Sequence, residues 1–502
     1  MIQVQVNFLA NLAGSGWVVA TGLVCIPLYI RFMGMESYGL VGFFLMMQGI
    51  IQILDLGLSP TMNREMARYS GLPDKAEEAR DFVRTIEGAY WAIGAAIGIA
   101  VYSAAPFIAT HWIKAGNLQG VEVRNAVRIM GALAALQWPL SFYQSGLLGL
   151  QRQVLLNAIT MASTGLASFG AVLVLWRVSP SVTAFFTWQI GVSLLQTLTT
   201  TVVLWRCLPK GKRPARFSPD LIRRVGGFAA GMSIITLSAL IMSQLDKIIL
   251  SKMIDLKMFG YYTLACVVGN GLTVLITPIF NSVFPQISRS VAAGDQQGLR
   301  QMYHGASQVM AVLILPLAAV LLLFSREIMT LWTGSAEIAL HTAPIVAILV
   351  AGTALNGMLN LPYVLQLAHG RTRITLSINL AFLLVMVPTI FLMVRWFGAI
   401  GAAVFWLGLN AFHVFVGVPL THRQFLKGDA PQWFLRDFGF PLMVASGIAL
   451  VGRIILPGPM TSLYAVVTIG ITWLVAALLT AFSAPIIRRW LLSMQWVTPP
   501  WR

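Results

Sequence analysis

Long apolar runs, separated by short polar connections, follow one another along the whole chain. A helix needs about 20 apolar residues to cross the hydrocarbon core of a bilayer, and most of these runs reach that length. The pattern therefore predicts an all-α polytopic membrane protein with about 14 transmembrane helices. We place the spans at roughly 9–30, 39–59, 86–109, 129–149, 154–176, 183–205, 226–250, 260–284, 308–324, 342–367, 374–394, 400–420, 437–456 and 462–482.

A repeat relates the two halves of the chain. Residues of the first half are matched in type by residues 221 positions later, and the pairs are Arg31 and Lys252, Tyr38 and Phe259, Gly39 and Gly260, Arg68 and Arg289, and Asp74 and Asp295. Such a repeat predicts two pseudo-symmetric six-helix bundles. We expect an N-terminal bundle at 1–208, a basic cytoplasmic linker at 209–225, a C-terminal bundle at 226–424, and an extra transmembrane helix pair with a cytoplasmic tail at 425–502.

The extra pair carries few polar residues and lies outside the repeat. We expect it on the lipid side of the second bundle, either as simple packing or as support for a long acyl or prenyl chain.

Composition supports a membrane protein and adds a strong positive charge. Hydrophobic residues make up 57% of the 502 residues and charged residues only 10%, whereas soluble domains carry about 25% charged residues. The net charge is +17, and most Lys and Arg fall in the connections after even-numbered spans. By the positive-inside rule, both termini are predicted to be cytoplasmic. Topology explains the charge without nucleic acid, although attraction of an anionic substrate is an alternative.

No cofactor is expected. The three cysteines are scattered in or beside apolar runs without the spacing of a metal site, and no phosphate-binding loop or zinc-protease motif is present. No pair of Asp or Glu residues in the sequence resembles the catalytic pair of a glycosidase or transferase. No outer connection is large enough to hold an active site. The chain is therefore predicted not to be an enzyme.

Several even-numbered spans carry amide side chains at helical spacing, which places each set on one face of its helix. The candidates for lining a hydrated cavity are Gln48, Gln52, Gln144, Asn270, Asn281, Asn356 and Asn360. The alternative is that these groups bond neighbouring helices together within the lipid.

Three ionisable residues lie within or near the ends of spans, where an unpaired charge costs several kcal/mol. Lys247 is a candidate for binding a phosphate or diphosphate in the cavity, or else a lysine that snorkels to the interface. Asp55 and Asp246 are candidates for ion coupling, although Asp55 could instead bond Arg64 or a helix terminus. Asp246 and Lys247 point about 100° apart on a helix and need not pair with each other.

Two stretches resemble the signatures of a known family. The first contains Pro27-Leu28-Tyr29, Gly34, Tyr38-Gly39, Asp55-Leu56-Gly57-Leu58, Arg64 and Arg68, and the second contains Asp246-Lys247-Ile248-Ile249-Leu250, Gly260-Tyr261-Tyr262 and Leu264-Ala265. Over roughly residues 1 to 420, the chain resembles the polysaccharide-type flippases of the multidrug/oligosaccharidyl-lipid/polysaccharide exporter superfamily. The extra helix pair is similar to that of the lipid-linked peptidoglycan-precursor flippases, in which it forms a groove for the lipid tail.

This resemblance implies two facing bundles in the bacterial inner membrane that move undecaprenyl-diphosphate-linked oligosaccharide to the outer leaflet. Transport would proceed by alternating access, driven by an ion gradient or the membrane potential. The diphosphate would contact Lys247, Arg31 or Arg64, and sugar hydroxyls would contact the Gln and Asn stripes. Other expected partners are membrane lipids and polysaccharide-assembly proteins.

Two alternatives have different requirements. A cation-coupled drug antiporter of the same fold would need an acidic, aromatic cavity, and a membrane-bound polysaccharide polymerase or ligase would need a large catalytic outer loop.

Overall fold

The computed structural model describes residues 2–55, 57–209, 211, 213–219, 234–371, 373–455 and 462–493. These residues form helices joined by short connections and contain no β-strand, which confirms the all-α prediction. The helices are α1 (Ile2–Ile53), α2 (Leu58–Ser70), α3 (Ala76–Phe107), α4 (Gly120–Gly149), α5 (Gln153–Arg177), α6 (Val182–Cys207), α7 (Ile234–Met253), α8 (Leu256–Gly271), α9 (Thr273–Ala292), α10 (Gln296–Leu323), α11 (Ser325–Thr333), α12 (Ala336–Ala368), α13 (Arg373–Phe412), α14 (Val418–Phe425), α15 (Phe440–Ile455), α16 (Ser462–Ser483) and α17 (Pro485–Leu492).

Ten helical stretches of the described residues are long and apolar enough to cross a membrane, so the protein is a multi-pass membrane protein. The predicted count of about 14 is not confirmed. Two stretches, Ala13–Ile53 and Arg373–Phe425, each cover two predicted spans. Each contains a glycine with positive φ, Gly34 and Gly398, at which the helix changes direction without an intervening loop.

The other differences in the count have separate causes. The fourth predicted span corresponds to α4, whose first turns carry charged residues and which falls outside the ten stretches. The seventh begins at residues 226–233, which lie outside the described residues. Residues 220–225 of the predicted linker also lie outside them.

The chain divides into two compact units, residues 1–260 and 261–502. In the first unit, α4 packs against α3 and α6, and α1 packs against α5 and α7. In the second, α10 and α12 lie at the centre, with α9, α13, α15 and α16 around them. The predicted bundle boundaries at 208 and 424 stay a prediction.

The matched residues of the repeat occupy equivalent helix positions. Arg68 lies in the last turn of α2, and Arg289 lies in the last turn of α9. The change of direction at Gly34 falls 221 positions before Asp255, where α7 has ended and α8 has not begun. The two halves therefore repeat helix ends as well as residue types.

The described part of the predicted linker is bound to the first unit. Arg213 forms an ion pair with Glu77 at 2.8 Å and one with Asp81 at 2.5 Å, both on α3. The hydrogen bond and charge of Asp81 raise the pKa of the Arg213 guanidinium above its ordinary value. The basic segment is thus partly neutralised by acidic residues at the beginning of α3.

Candidate functional site

Helices α1 and α8 cross at two glycines that the repeat relates to each other. A Cβ atom on Gly260 would lie 2.6 Å from the carbonyl oxygen of Met35, and one on Gly39 would overlap the carbonyl oxygen of Leu256. Leu256 follows Met35 by the same 221 positions that separate the two glycines. The crossing is therefore reciprocal, and it depends on the absence of a side chain at both positions.

The connection between α3 and α4 is bound to the same region. Glu36 accepts a hydrogen bond from the backbone N–H of Gly116 at 2.6 Å and another from Asn117 at 3.0 Å. Lys114 donates from Nζ to the carbonyl oxygen of Met253 at 2.9 Å, and Trp112 donates from Nε1 to Ser251 at 3.0 Å. One loop thus joins α1 just after Gly34 to the end of α7.

Asp246 and Lys247 form an ion pair, although the predicted directions of their side chains did not require one. The Lys247 ammonium lies 3.1 Å from Asp246 Oδ1 and also donates to the carbonyl oxygen of Ser243 at 2.7 Å. Both side chains are about one-fifth exposed, with values of 26% for Lys247 and 17% for Asp246. Any anion that binds Lys247 must therefore compete with its neighbouring carboxylate.

An interior chain of polar side chains joins three helices of the first unit. Gln48 on α1 donates from Nε2 to Oε1 of Gln137 on α4, and Gln137 donates to Ser193 on α6 at 3.0 Å. These groups bond helices to one another. Two other candidates are not in this chain, since Gln144 is half-buried on α4 and Gln52 is exposed near the end of α1.

Asp55 organises the beginning of α2. Its Oδ2 accepts from the backbone N–H of Ser59 at 3.0 Å, and its Oδ1 accepts from the hydroxyl of Ser59 at 2.9 Å and from that of Tyr90 at 2.6 Å. Arg64, which is exposed, pairs with Glu65 at 2.9 Å. Arg31 is exposed as well. The carboxylate of Asp55 therefore bonds a helix terminus, as one alternative proposed.

The second unit has an unusual exposed face on α8 and α9. Polar residues at helical spacing are exposed there, and they are Asn270, Thr273, Thr277 and Asn281. The opposite face of α9 buries Ile276, Ile279 and Val283. Four polar residues are thus exposed, together with Val274 and Pro278, in a stretch that is long and apolar enough to span a membrane.

The two amides of α12 behave differently. Asn356 donates from Nδ2 to Oδ1 of Asn410 on α13 at 2.9 Å, and Asn360 donates to the carbonyl oxygen of Asn356 at 2.9 Å. Both are half-buried. Their hydrogen bonds hold α12 to α13 and to itself, so they are less available to a ligand than Asn270 and Asn281.

The structure contains two buried acidic clusters that were not predicted from the sequence. In the first unit, Glu87 accepts from Tyr143 at 2.6 Å and from Trp205 at 3.3 Å and pairs with Arg84 at 3.1 Å. In the second unit, His304 on α10 contacts Asp437, which lies three residues before the first residue of α15. An isolated acid inside an apolar run is the signal that could have identified Glu87 and Asp437.

Two solved structures have a similar fold. The structure titled "Lipid II flippase MurJ, inward closed conformation" matches with a TM-score of 0.70 and 12% identity, over 97% of this chain and 100% of that chain. A multidrug resistance MATE family transporter of the MOP superfamily matches with a TM-score of 0.64 and 17% identity, over 83% of this chain and 94% of the other. At these identities, the likeness establishes the fold.

Residues 6–291 match the family described as "Polysaccharide biosynthesis protein", and the chain belongs to that family. A protein of Shigella flexneri described as "Putative O-antigen transporter" is 20% identical over 395 residues, which cover 78% of this chain and 91% of that protein. The resemblance to polysaccharide-type flippases is therefore confirmed. The descriptions of these similar proteins name transporters and flippases, in agreement with the prediction of a non-enzyme.

Proposed function

We propose that this protein flips undecaprenyl-diphosphate-linked oligosaccharide from the cytoplasmic to the outer leaflet of the bacterial inner membrane. Transport proceeds by alternating access, driven by an ion gradient or the membrane potential. Both termini are cytoplasmic, the two six-helix bundles are residues 1–208 and 226–424, and residues 425–502 add the extra helix pair. The flippase and O-antigen transporter descriptions of similar proteins support the substrate class.

The exposed polar face of α8 and α9 is the observation that carries this proposal. Leaving an amide in hydrocarbon without a hydrogen-bond partner costs roughly 2–7 kcal/mol. Helices that face lipid expose apolar residues instead, as α13 does with Leu384, Val385 and Phe391. Asn270 and Asn281 are therefore best placed in contact with water and with the hydroxyl groups of a sugar.

The remaining candidates receive different roles in this proposal. Gln52 and Arg31 are exposed and reach the sugar or the diphosphate, whereas Arg64 and Lys247 bind the diphosphate after exchange of their ion-pair partners. Gln48, Gln144, Asn356 and Asn360 are half-buried, and Gln48, Asn356 and Asn360 contact the sugar only by exchanging hydrogen bonds made within the protein. The net charge of +17 favours an anionic substrate such as a lipid diphosphate.

Deletion of the gene tests the proposal directly. We expect undecaprenyl-linked repeat units to accumulate on the cytoplasmic side of the inner membrane while surface polysaccharide is lost. Lipid extraction with analysis of the attached oligosaccharide measures the first effect, and gel analysis of surface polysaccharide measures the second. Normal surface polysaccharide in the deletion strain would overturn the proposal.

Replacement of the exposed amides should lower transport without loss of protein. We expect Asn270→Leu and Asn281→Leu each to reduce surface polysaccharide in the deletion strain, because each removes a hydrogen-bonding group from the polar face. The matched control is Val385→Leu, a change on the apolar exposed face of α13. Equal transport by all three variants, at equal protein levels, would argue against a substrate role for this face.

Lys247→Ala should also lower transport while the protein level holds, because it removes the cation proposed to bind the diphosphate. Since the change leaves Asp246 without its neighbouring ammonium, the double variant Asp246→Ala/Lys247→Ala separates the two effects. If the double variant transports normally while Lys247→Ala does not, the loss in Lys247→Ala is caused by the remaining carboxylate of Asp246 and not by the missing ammonium. Lys75→Ala is the control, as Lys75 is exposed and pairs with Glu78 at 3.1 Å.

A further inference from the structure

A cluster of acidic and histidine side chains lies buried where α10 begins. His304 is 4% exposed and Asp437 is fully buried. His304 Nδ1 contacts Asp437 Oδ2, and His304 Nε2 lies 3.5 Å from Asp429 Oδ2. Both ring nitrogens of one histidine therefore face carboxylate oxygens.

This arrangement favours binding of an additional proton. A neutral imidazole has one N–H and one bare nitrogen, and a bare nitrogen repels a carboxylate oxygen that faces it. A second proton on the ring, or a proton on the carboxyl group that faces the bare nitrogen, removes this repulsion. In both cases, the cluster holds one proton more than a neutral ring between two carboxylates, and that proton belongs to the group as a whole.

The balance of charge leads to the same conclusion. Within ion-pair distance the two carboxylates have one arginine, since Arg300 Nε lies 3.4 Å from Asp429 Oδ2, whereas Arg436 is exposed and acts on Asp437 from a greater distance. One negative charge then remains in a buried place, which is costly without compensation. The extra proton provides that compensation.

The surroundings of the cluster leave polar atoms available to a proton. In the described part of the chain, His422 Nε2 and Asp429 Oδ2 are buried and have no hydrogen-bond partner. His422 on α14 is 1% exposed and interacts electrostatically with His304 and Asp429.

Other titratable groups near the cluster are limited. Tyr303 on α10 and Arg436 beside Asp437 interact with its carboxylates. Arg488 and Arg489 on α17 are exposed, and Arg453 on α15 pairs with Glu327 beyond the other end of α10. The proton is therefore shared chiefly by His304, Asp429 and Asp437.

The cluster joins three parts of the second unit. Asp437 belongs to the turns that lead into α15, and Gln308 on α10 donates to Asp437 Oδ1 at 2.8 Å. The same Gln308 accepts at Oε1 from the backbone N–H of Ile486 on α17, at 2.8 Å. One polar network thus connects α10 to both ends of the C-terminal helix pair.

We infer that His304, Asp429 and Asp437 form a buried proton-binding site that attaches the C-terminal helix pair to α10. The site holds the pair in place when the proton is bound and loosens it when the proton leaves. Its ligand is a proton taken from solvent, and the inference does not depend on which substrate the protein transports.

Hydrogen–deuterium exchange of the purified full-length protein tests this site. The measured quantity is protection of residues 484–490, corrected for the intrinsic effect of pH on exchange. We expect protection to fall as the pH is raised. The fall should be at most about tenfold per pH unit for each proton released.

Two variants and one control make the test decisive. His304→Gln keeps a donor toward Asp437 but removes the imidazole, and Asp437→Asn removes the carboxylate that attaches the helix pair, so protection in both variants should depend less on pH than in the unmodified protein. His369→Gln should keep the dependence of the unmodified protein, because His369 bonds Leu365 on α12 outside the cluster. Protection that does not change with pH in the unmodified protein, or an unchanged dependence in His304→Gln, would overturn the inference. Asp437→Asn alone decides the question if His304→Gln does not fold.

Discussion

Gly39→Ala and Gly260→Ala are each expected to destabilise the protein by about 1–3 kcal/mol, the usual cost of inserting atoms into a well-packed site. In both cases, the added methyl group meets a backbone carbonyl oxygen, of Leu256 or of Met35. A backbone atom cannot rotate away as the end of a side chain can, so the helices themselves must separate. Thermal unfolding of the purified protein measures the effect.

Glycines elsewhere in the same fold supply the matched control. A Cβ atom on Gly88 in α3 or on Gly191 in α6 would have nothing within 4 Å. Because alanine favours helix over glycine by roughly 0.5–1 kcal/mol, Gly88→Ala and Gly191→Ala should be neutral or slightly stabilising. We therefore expect the change in stability to be unfavourable for Gly39→Ala and Gly260→Ala and neutral or favourable for Gly88→Ala and Gly191→Ala. Equal melting temperatures of the four variants would contradict this prediction.

The same variants report on transport. If α1 and α8 must return to this contact during each cycle, Gly39→Ala and Gly260→Ala should also lower surface polysaccharide below the level of the two control variants. The double variant should cost less than the sum of the single changes, because both methyl groups separate the same pair of helices. Full additivity would indicate that the two contacts act independently.

The repeat could be predicted from the sequence because it is a property of residue types at a fixed offset. Matched residues such as Arg68 and Arg289 do occupy the last turns of corresponding helices, α2 and α9. The reciprocal crossing at Gly39 and Gly260 could not be predicted in the same way. A glycine pair in a repeat is compatible with turns, bends or close contacts, and only the three-dimensional arrangement distinguishes them.

The sequence predicts the presence of apolar, membrane-spanning helices better than their number. Apolar periodicity identifies where a helix can be buried, but it does not tell whether two spans are joined by a loop or by a bend. At Gly34 and Gly398, a single residue with positive φ redirects the chain, and the helical hydrogen bonding resumes at once. The sequence shows the glycine and the short polar connection, and both outcomes fit these features.

Ideal helix geometry was misleading for Asp246 and Lys247. Adjacent residues point about 100° apart, but that angle describes only the direction in which a side chain leaves the backbone. The lysine side chain is long enough to turn back toward Ser243 and Asp246. Charged residues that are neighbours in sequence can therefore pair within an apolar region, where pairing lowers the cost of burial.

The buried cluster around His304 lay beyond sequence reasoning for another reason. Its members His304 and Asp437 are 133 positions apart. The C-terminal pair was expected to lie on the lipid side as a largely apolar addition, and α15 and α16 do expose apolar residues such as Met443 and Leu463. A fully buried aspartate at the beginning of α15 adds a polar attachment that composition alone did not reveal.

Asp55→Asn is expected to stop most transport while leaving the fold intact. The amide retains an oxygen that can accept from Ser59 or Tyr90, so the beginning of α2 keeps part of its hydrogen bonding. What the variant loses is the negative charge, which a coupling cation or proton requires. Surface polysaccharide in the deletion strain measures transport, and thermal unfolding of the purified protein measures stability.

Two further variants separate charge from structure. Asp55→Ala removes the acceptor of the buried Tyr90 hydroxyl and should cost about 1–3 kcal/mol in stability, with transport lost as well. Ser59→Ala removes only the hydroxyl donor and should leave transport intact, because the backbone N–H still bonds the carboxylate. If Asp55→Asn transports normally and only Asp55→Ala fails, the carboxylate has a purely structural role at the beginning of α2. In that case, Asp246, the other candidate for ion coupling, is the next residue to replace. Glu87, which is bonded to Tyr143 and Trp205, follows it.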